Sequence, residues 1–205
     1  ALAGEGIGAV PQPLSATALE VTENARRVKS SAAFREGLVE LQDAASQAVV
    51  DLLLPVAPGA RVLDYCAGGG GKALALAAAG ARVTAHDADP RRMADLPERA
   101  RRAGVRIDVA ERLGRERFDL VLVDAPCSGS GAWRRQPEAK WRLDAARLAA
   151  LVTLQGEVLR AAARHVAPGG GMAYATCSLL EEENGAVVEA FLAEDLRFAR
   201  MAERR

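Results

Sequence analysis

Aromatic residues make up only 4% of this 205-residue chain, and histidine is nearly missing, with two copies. His86 and His165 stand without the cysteine or acidic company of a metal site, so both are expected to be structural and no metal is expected. Cysteine is sparse as well. Cys66, Cys127 and Cys177 are too few for a disulfide framework and too far apart for a zinc site, which leaves reduced thiols in a cytoplasmic compartment as the expectation. Net charge is absent: 27 basic residues balance 27 acidic ones, and a nucleic-acid partner has to be sought in local patches. Also missing are any apolar run near the roughly 18 residues that span a bilayer and, in residues 1–10, the basic start of a signal peptide. No membrane partner is expected. What is present is 50% apolar and 26% charged, ordinary for one globular domain with a sizeable core, and a monomer is expected.

From residue 60 onward, strand-like apolar runs at 61–64, 82–87, 105–110, 118–124 and 171–177 alternate with helical segments. Such alternation predicts an α/β fold with a mostly parallel central sheet and helices on both faces. Pro90 opens a helix expected to run to about Ala103. Leu148, Leu151, Val152, Val158, Leu159, Ala162 and Val166 make an apolar stripe at helical spacing, and Pro168-Gly169-Gly170-Gly171 is expected to stop that helix. Ser178 with Glu181 three residues on has the capping-box pattern, which would place Cys177 near a helix N-terminus. Before residue 60 the pattern is weaker, with a turn at 11–14 and a helix over 42–54. Residues 1–40 are therefore read as an N-terminal flank and 41–205 as the main domain. Beginning without methionine and stopping soon after one possible strand at 196–201, the chain is expected to be a piece of a longer protein.

The first strand runs into Asp64-Tyr65-Cys66-Ala67-Gly68-Gly69-Gly70-Gly71-Lys72, and the second ends at Asp87. Glycines let a cofactor approach the backbone, and an acid after the second strand can hold ribose hydroxyls, so a nucleoside cofactor is implied. A tight strand-to-helix turn with no ligand is the plainer alternative. A P-loop is excluded, because Ala73 follows Lys72 where Ser or Thr is needed and Cys66 occupies the place of the first glycine. Two later strands lead into Asp124-Ala125-Pro126-Cys127 and Thr176-Cys177-Ser178, at the rim where open α/β sheets hold ligands. A thiol with a reference pKa of about 8.5 is a strong nucleophile even when little of it is ionised. Two thiols and a carboxylate converging on one pocket point to nucleophilic chemistry, against the alternative of small buried hydrophobes beside a solvated loop.

Taken together, several segments resemble the RNA cytosine-5 methyltransferases of the Sun/Fmu type. They are Gln42-Asp43-Ala44-Ala45-Ser46-Gln47, Gly70-Gly71-Lys72, Asp124-Ala125-Pro126-Cys127-Ser128-Gly129, Lys140-Trp141, Tyr174-Ala175-Thr176-Cys177-Ser178 and Glu182-Glu183-Asn184, spread over 36–192. The resemblance implies a Rossmann-like class I methyltransferase domain that uses S-adenosylmethionine on RNA, with bacterial ribosomal RNA as the first substrate and transfer RNA as the alternative. It implies that Cys177 adds to carbon 6 of a flipped-out cytosine so that carbon 5 can attack the methyl group. It also implies that Cys127 assists breakdown of the adduct and that Asp124 lies close to both methyl donor and base. Cofactor contacts are implied for Cys66, Ala67, Gly68, Gly69, Gly70, Gly71, Lys72, Asp87, Asp124 and, near the adenine, Asp108. Two departures from the family pattern stand out. Its turn usually reads Cys-Ala-Ala-Pro-Gly-Gly-Lys, and here Gly68 and Gly69 replace the second alanine and the proline, at a cost in rigidity. Ile107 stands before Asp108 where the family commonly has glycine. Family members usually carry a larger N-terminal RNA-binding region, of which residues 1–40 would be a remnant, and a closing β-hairpin after the last helix.

Both tryptophans fall within Trp133-Arg134-Arg135-Gln136-Pro137-Glu138-Ala139-Lys140-Trp141-Arg142. Arginines among aromatics suit phosphate contact and base stacking, so Arg134, Arg135 and Lys140 are the candidates for RNA contact, with Trp141 expected to pack. A solvated charged face is the alternative. Arg99, Arg101, Arg102 and Arg106 read as an ordinary exposed helix face. Two functional rivals remain at this point: a nicotinamide dehydrogenase, which has no use for rim thiols, and a non-catalytic RNA-binding platform that keeps the fold.

Overall fold

The structure is a computed structural model and describes residues 1–203. Residues 1–40 contain a short antiparallel hairpin, β1 (Ala9–Pro11) and β2 (Leu19–Val21), and a one-turn helix, α1 (Ala32–Arg35). Helix α2 (Ala44–Asp51) follows, capped by Asp43, whose side chain accepts the Ala45 N–H at 2.9 Å. The rest alternates as predicted: β3 (Arg61–Asp64), α3 (Gly71–Ala78), β4 (Arg82–Ala85), α4 (Leu96–Arg102), β5 (Ile107–Val109), β6 (Phe118–Asp124), α5 (Ala145–Ala163), β7 (Val166–Ala175) and α6 (Gly185–Glu194).

Five of these strands form one parallel sheet in the order β5-β4-β3-β6-β7. Successive residues of the central strands feed opposite faces, the period-2 pattern of a buried strand. Val62, Val83, Ala85 and Leu122 pack with Val50, Leu74, Leu76 and Leu96 from α2, α3 and α4. Leu63, Val121 and Val123 pack on the other face with Ala162 of α5, and Phe191 of α6 joins Leu159 there. The chain order reverses between β3 and β6, and that crevice is where open α/β sheets bind ligands.

Four sequence expectations need correction. The helix expected from Pro90 to about Ala103 is split into a 3-10 turn, Pro90–Met93, and α4, because Pro97 in the first turn of α4 has no N–H to continue a helix from above. Helix α5 ends at Ala163, before the Pro-Gly run, and Val166 belongs to β7, paired with Phe118. The glycines of that run serve a bulge instead: the register slips between Phe118 and Leu120, and a Cβ on Gly170 would lie 2.9 Å from the Asp119 carbonyl oxygen. The capping box does not form. Residues Glu181–Glu183 make a 3-10 turn, α6 starts only at Gly185, and Cys177 therefore gains nothing from a helix N-terminus. Residues 196–201 join no strand.

The arginines of α4 are also only partly an exposed face. Glu40 of the flank lies 2.6 Å from Arg102 and 3.3 Å from Arg99, and the Arg102 guanidinium sits 3.9 Å over the Phe34 ring. Gly37 touches the Arg102 carbonyl so closely, and at φ 75°, that no side chain fits there. Arg101 and Arg106 remain exposed. Among the described residues no helix is long and apolar enough to cross a membrane.

Candidate active site

The rim of the sheet collects the residues singled out from the sequence. At the end of β3, Gly68 donates its N–H to Asp87 Oδ2 at 2.8 Å, while Asp87 Oδ1 accepts the Asp89 N–H at 2.9 Å and Arg92 stands 3.2 Å from the same carboxylate. Gly70 caps α3 at φ 77°, and a Cβ there would sit 2.3 Å from Leu96. Asp64 is buried with neither carboxyl oxygen hydrogen-bonded. Its burial, and then the nearby Asp124 charge, raise its pKa to about 7, against the opposing pull of Lys72. Cys66 lies among three carboxylates. Burial first, then Asp64, Asp87 and Asp124, push its thiol up to about 12, which suits a lining residue and disqualifies a nucleophile. Asp108 stands apart: it pairs with Thr84 inside the β4–β5 ladder, three residues short of Asp87, and its exposed carboxylate faces Arg106 at 3.3 Å.

The two rim cysteines do converge. Cys127 Sγ and Cys177 Sγ are 3.3 Å apart, although fifty residues separate them in the chain. Beside them Lys72 Nζ meets Asp124 Oδ2 at 2.6 Å, so the glycine-rich turn of β3 and the aspartate of β6 are locked together. The hydrogen bond from Cys127 lowers the Cys177 pKa to about 7, with Lys72 helping and burial and Asp124 opposing. The same bond drives the Cys127 thiol well up, with burial adding to it. Main-chain bonds hold the two loops: Gly131 N–H donates to the Cys177 carbonyl at 2.9 Å, and a Cβ on Gly131 would be 2.7 Å from that oxygen. Asn184 brackets the second loop, accepting the Thr176 hydroxyl at 2.7 Å and donating to the carbonyls of Ser178 and Leu180 at 3.0 and 2.8 Å.

Two buried polar side chains at this site, Gln155 and Glu183, received no role from the sequence. A glutamine one residue from Gly156 inside an otherwise apolar helical stripe was the available signal. The tryptophan segment differs from expectation. Trp141 is 83% exposed, so it does not pack, and Lys140 Nζ lies 5.4 Å over its ring. Arg134 is exposed, and Arg135 is drawn into an ion pair with Asp43. His86 and His165 flank the Tyr65 ring and bond the carbonyls of Ala110 and Glu116, in keeping with structural roles.

Residues 51–202 match the family described as 16S rRNA methyltransferase RsmB/F. Ribosomal RNA small subunit methyltransferase B of Klebsiella pneumoniae is 41% identical over 170 residues, which is 78% of this chain and 39% of that protein. The protein of the same name from Citrobacter koseri is 38% identical over 197 residues, 91% of this chain and 46% of that one. The chain thus spans less than half the length of these relatives. Among solved structures, PH0851 superposes with a TM-score of 0.85 and 33% identity over 95% of this chain and 46% of its own. A methyltransferase homolog from Pyrococcus horikoshii gives 0.80 and 28% over 94% and 63%. The sheet is therefore that of the class I methyltransferases, whose methyl donor is S-adenosylmethionine, and the chain belongs to the RsmB/F family of 16S rRNA methyltransferases.

Proposed function

We propose that the chain is the catalytic part of a cytoplasmic enzyme that transfers a methyl group from S-adenosylmethionine to carbon 5 of cytosine in RNA, with ribosomal RNA as substrate, through a thioether at Cys177. The observation that carries this reading is the pair of thiols 3.3 Å apart where β6 and β7 end, beside the Lys72–Asp124 ion pair. The residues fit the donor: the buried carboxyl of Asp64 and the carboxylates of Asp87, facing Arg92, and Asp124, facing Lys72, suit a cationic nucleoside, and the glycine turn allows close approach. When bound, S-adenosylmethionine supplies a methyl group on a positively charged sulfur. The turn from Cys66 to Lys72 and Asp87 would hold its nucleoside; Asp108, on the edge strand, is the weakest member of the set.

Cys177, the more exposed thiol and the one whose pKa is lowered, forms the bond to carbon 6 of the base. As charge builds in the ring, Lys72 and Asp124 hold the proton that the ring nitrogen takes up. Carbon 5 thereby becomes electron-rich enough to accept the methyl group. The carbon-5 proton must then leave while the Cys177–carbon 6 bond breaks, and Cys127 is placed to take it. Its thiol holds its proton mainly because of the hydrogen bond to Cys177. Once that sulfur is committed to the thioether, the constraint is gone and Cys127 loses its own proton to water more easily, leaving the thiolate that takes the proton from carbon 5.

RNA contact is assigned to Arg134, Arg135 and Lys140, with the exposed Trp141 as a stacking platform for a base. An open cleft of about 550 Å³ lined by Gln12, Leu19, Gln42, Asp43 and Arg135 joins the flank to this segment and supports a share for residues 1–40 in RNA contact.

The test is a denaturing gel of wild type, Cys127→Ala and Cys177→Ala after incubation with S-adenosylmethionine and unmodified small-subunit ribosomal RNA. A protein–RNA adduct should persist with Cys127→Ala and be absent with Cys177→Ala. Trapping by Cys177→Ala instead would exchange the two roles. Methylated RNA with no trapped protein in any lane would remove the covalent route, and RNA binding with no methyl transfer would leave a non-catalytic platform.

A further inference from the structure

Glu183 has no exposure to solvent, and a carboxylate is kept in such a place only when its oxygens are fully hydrogen-bonded. Oε1 accepts the Ser128 N–H at 2.8 Å and the Gln155 side-chain amide at 2.9 Å. Oε2 accepts the hydroxyls of Ser128 and Ser178. Gln155, itself buried in α5, also donates to the Pro126 carbonyl at 2.9 Å, and the Tyr174 hydroxyl donates to the Glu183 carbonyl at 2.7 Å. Burial pushes the Glu183 carboxyl up, and the bonds from Ser128, Ser178 and Gln155 more than offset it, so the group stays charged.

The placement of those donors is specific. Pro126 and Ser128 are the residues on either side of Cys127, and Ser178 follows Cys177 directly. The Ser128 and Ser178 hydroxyl oxygens stand 3.3 Å apart, as do the two thiols. The loops are also joined through Ser130 and Gly131: the Gly131 N–H donates to the Cys177 carbonyl at 2.9 Å, and the Ser130 hydroxyl accepts the Leu179 N–H at 2.7 Å and stands 3.1 Å from the Ser178 hydroxyl. Those ties reach the first loop no nearer than Ser130, whereas Glu183 bonds Ser128, the residue directly after Cys127.

We infer that Glu183 is a positioning residue: by bonding the neighbours of both cysteines it sets the separation of Cys127 and Cys177, so that both sulfurs reach one base. For its catalytic consequence the inference rests on the cysteine chemistry proposed above, but the geometry can be read without it. Diamide removes two electrons and two protons from a thiol pair, leaving a disulfide and the reduced hydrazine, and its rate reports how readily the two sulfurs meet. Wild type should fall from three free thiols to one, with Cys66 the survivor. Glu183→Gln, which keeps the size but loses two acceptor sites, should close the Cys127–Cys177 bridge at least tenfold more slowly. Added to Cys127→Ala, it should form the RNA adduct at least tenfold more slowly than Cys127→Ala alone, and on its own it should keep a KM for S-adenosylmethionine within twofold of wild type. Glu182→Gln, altered at an exposed neighbour, should match wild type throughout.

Bridge closure at the wild-type rate in a folded Glu183→Gln protein would overturn the inference whatever its activity. Should that variant fail to fold, Gln155→Met and Ser178→Ala each cut one arm of the network, and wild-type closure in both would overturn it equally. If wild type closes the bridge readily, Glu183→Gln does not, and Cys127→Ala traps no RNA, the positioning role stands and the cytosine reading falls.

Discussion

Two thiols 3.3 Å apart cannot both give up their protons easily, because the second charge would form beside the first. Cys177 ionises first, near 7, chiefly because Cys127 donates to it. Replacing Cys127 by alanine should therefore raise the Cys177 pKa by about one unit, toward the reference value. The pH midpoint of iodoacetamide alkylation at Cys177 reads this directly, and an unmoved midpoint would assign the effect to Lys72. Asp64 has the opposite linkage. With its pKa at about 7 in the folded state against an ordinary 3.8, it keeps a proton that the unfolded chain releases between those values. Its contribution to stability is thus complete below about pH 4 and lost as pH rises toward 7, at no more than about 1.4 kcal/mol per pH unit. Asp64→Asn should flatten that decline in urea titrations run from pH 4 to 7. A slope identical to wild type would mean that Asp64 titrates normally. Glu183, whose pKa is lowered, contributes the reverse slope below its ordinary range in both proteins.

Where β3 meets α3, the turn is closed by the Gly70 N–H on the Ala67 carbonyl at 2.8 Å, with Gly68 at φ 52°. An alanine at position 68 would match the family pattern, yet it would put a side chain in the left-handed region and 3.1 Å from Arg92. Gly68→Ala should accordingly cost about 1 kcal/mol in chemical denaturation; a gain in stability would show that the turn can adopt a shape alanine accepts. The same element-level physics explains what could be read in advance. Strand Phe118–Asp124 was legible because it is central and its Leu120 to Val123 stretch, covered on both faces, is an unbroken apolar run. The cysteines, Asp124 and Asp87 were legible because they follow strand ends. The end of α5 was not, because Pro-Gly-Gly-Gly signals a helix stop and a strand bulge equally well. Nor were the roles of Glu183 and Gln155, which exist only once α5 packs under both cysteine loops. Ser178 offered a capping pattern, but its hydroxyl is taken by Glu183. Pattern alone could not tell that Trp141 faces water.

Across the molecule, the flank is joined to the glycine-rich turn by a short relay. Glu40 holds Arg99, and Arg99 donates to the Gly69 carbonyl. Removing the carboxylate by Glu40→Ala frees Arg99 and loosens the turn, and S-adenosylmethionine should bind roughly threefold to tenfold more weakly by calorimetry. Lower stability with unchanged affinity would mean that the flank supports the fold without informing the turn. The sheet itself is open on its β7 side. Pro168 and the glycine bulge disrupt the start of that strand, but beyond them 171–175 pairs regularly with β6 on its inner side. Among the described residues no strand pairs with its outer side, so its main chain there can take up an extended peptide. An edge of that kind is the margin along which one molecule could be stitched to the next, and a partner that occupied it would extend the sheet by a strand.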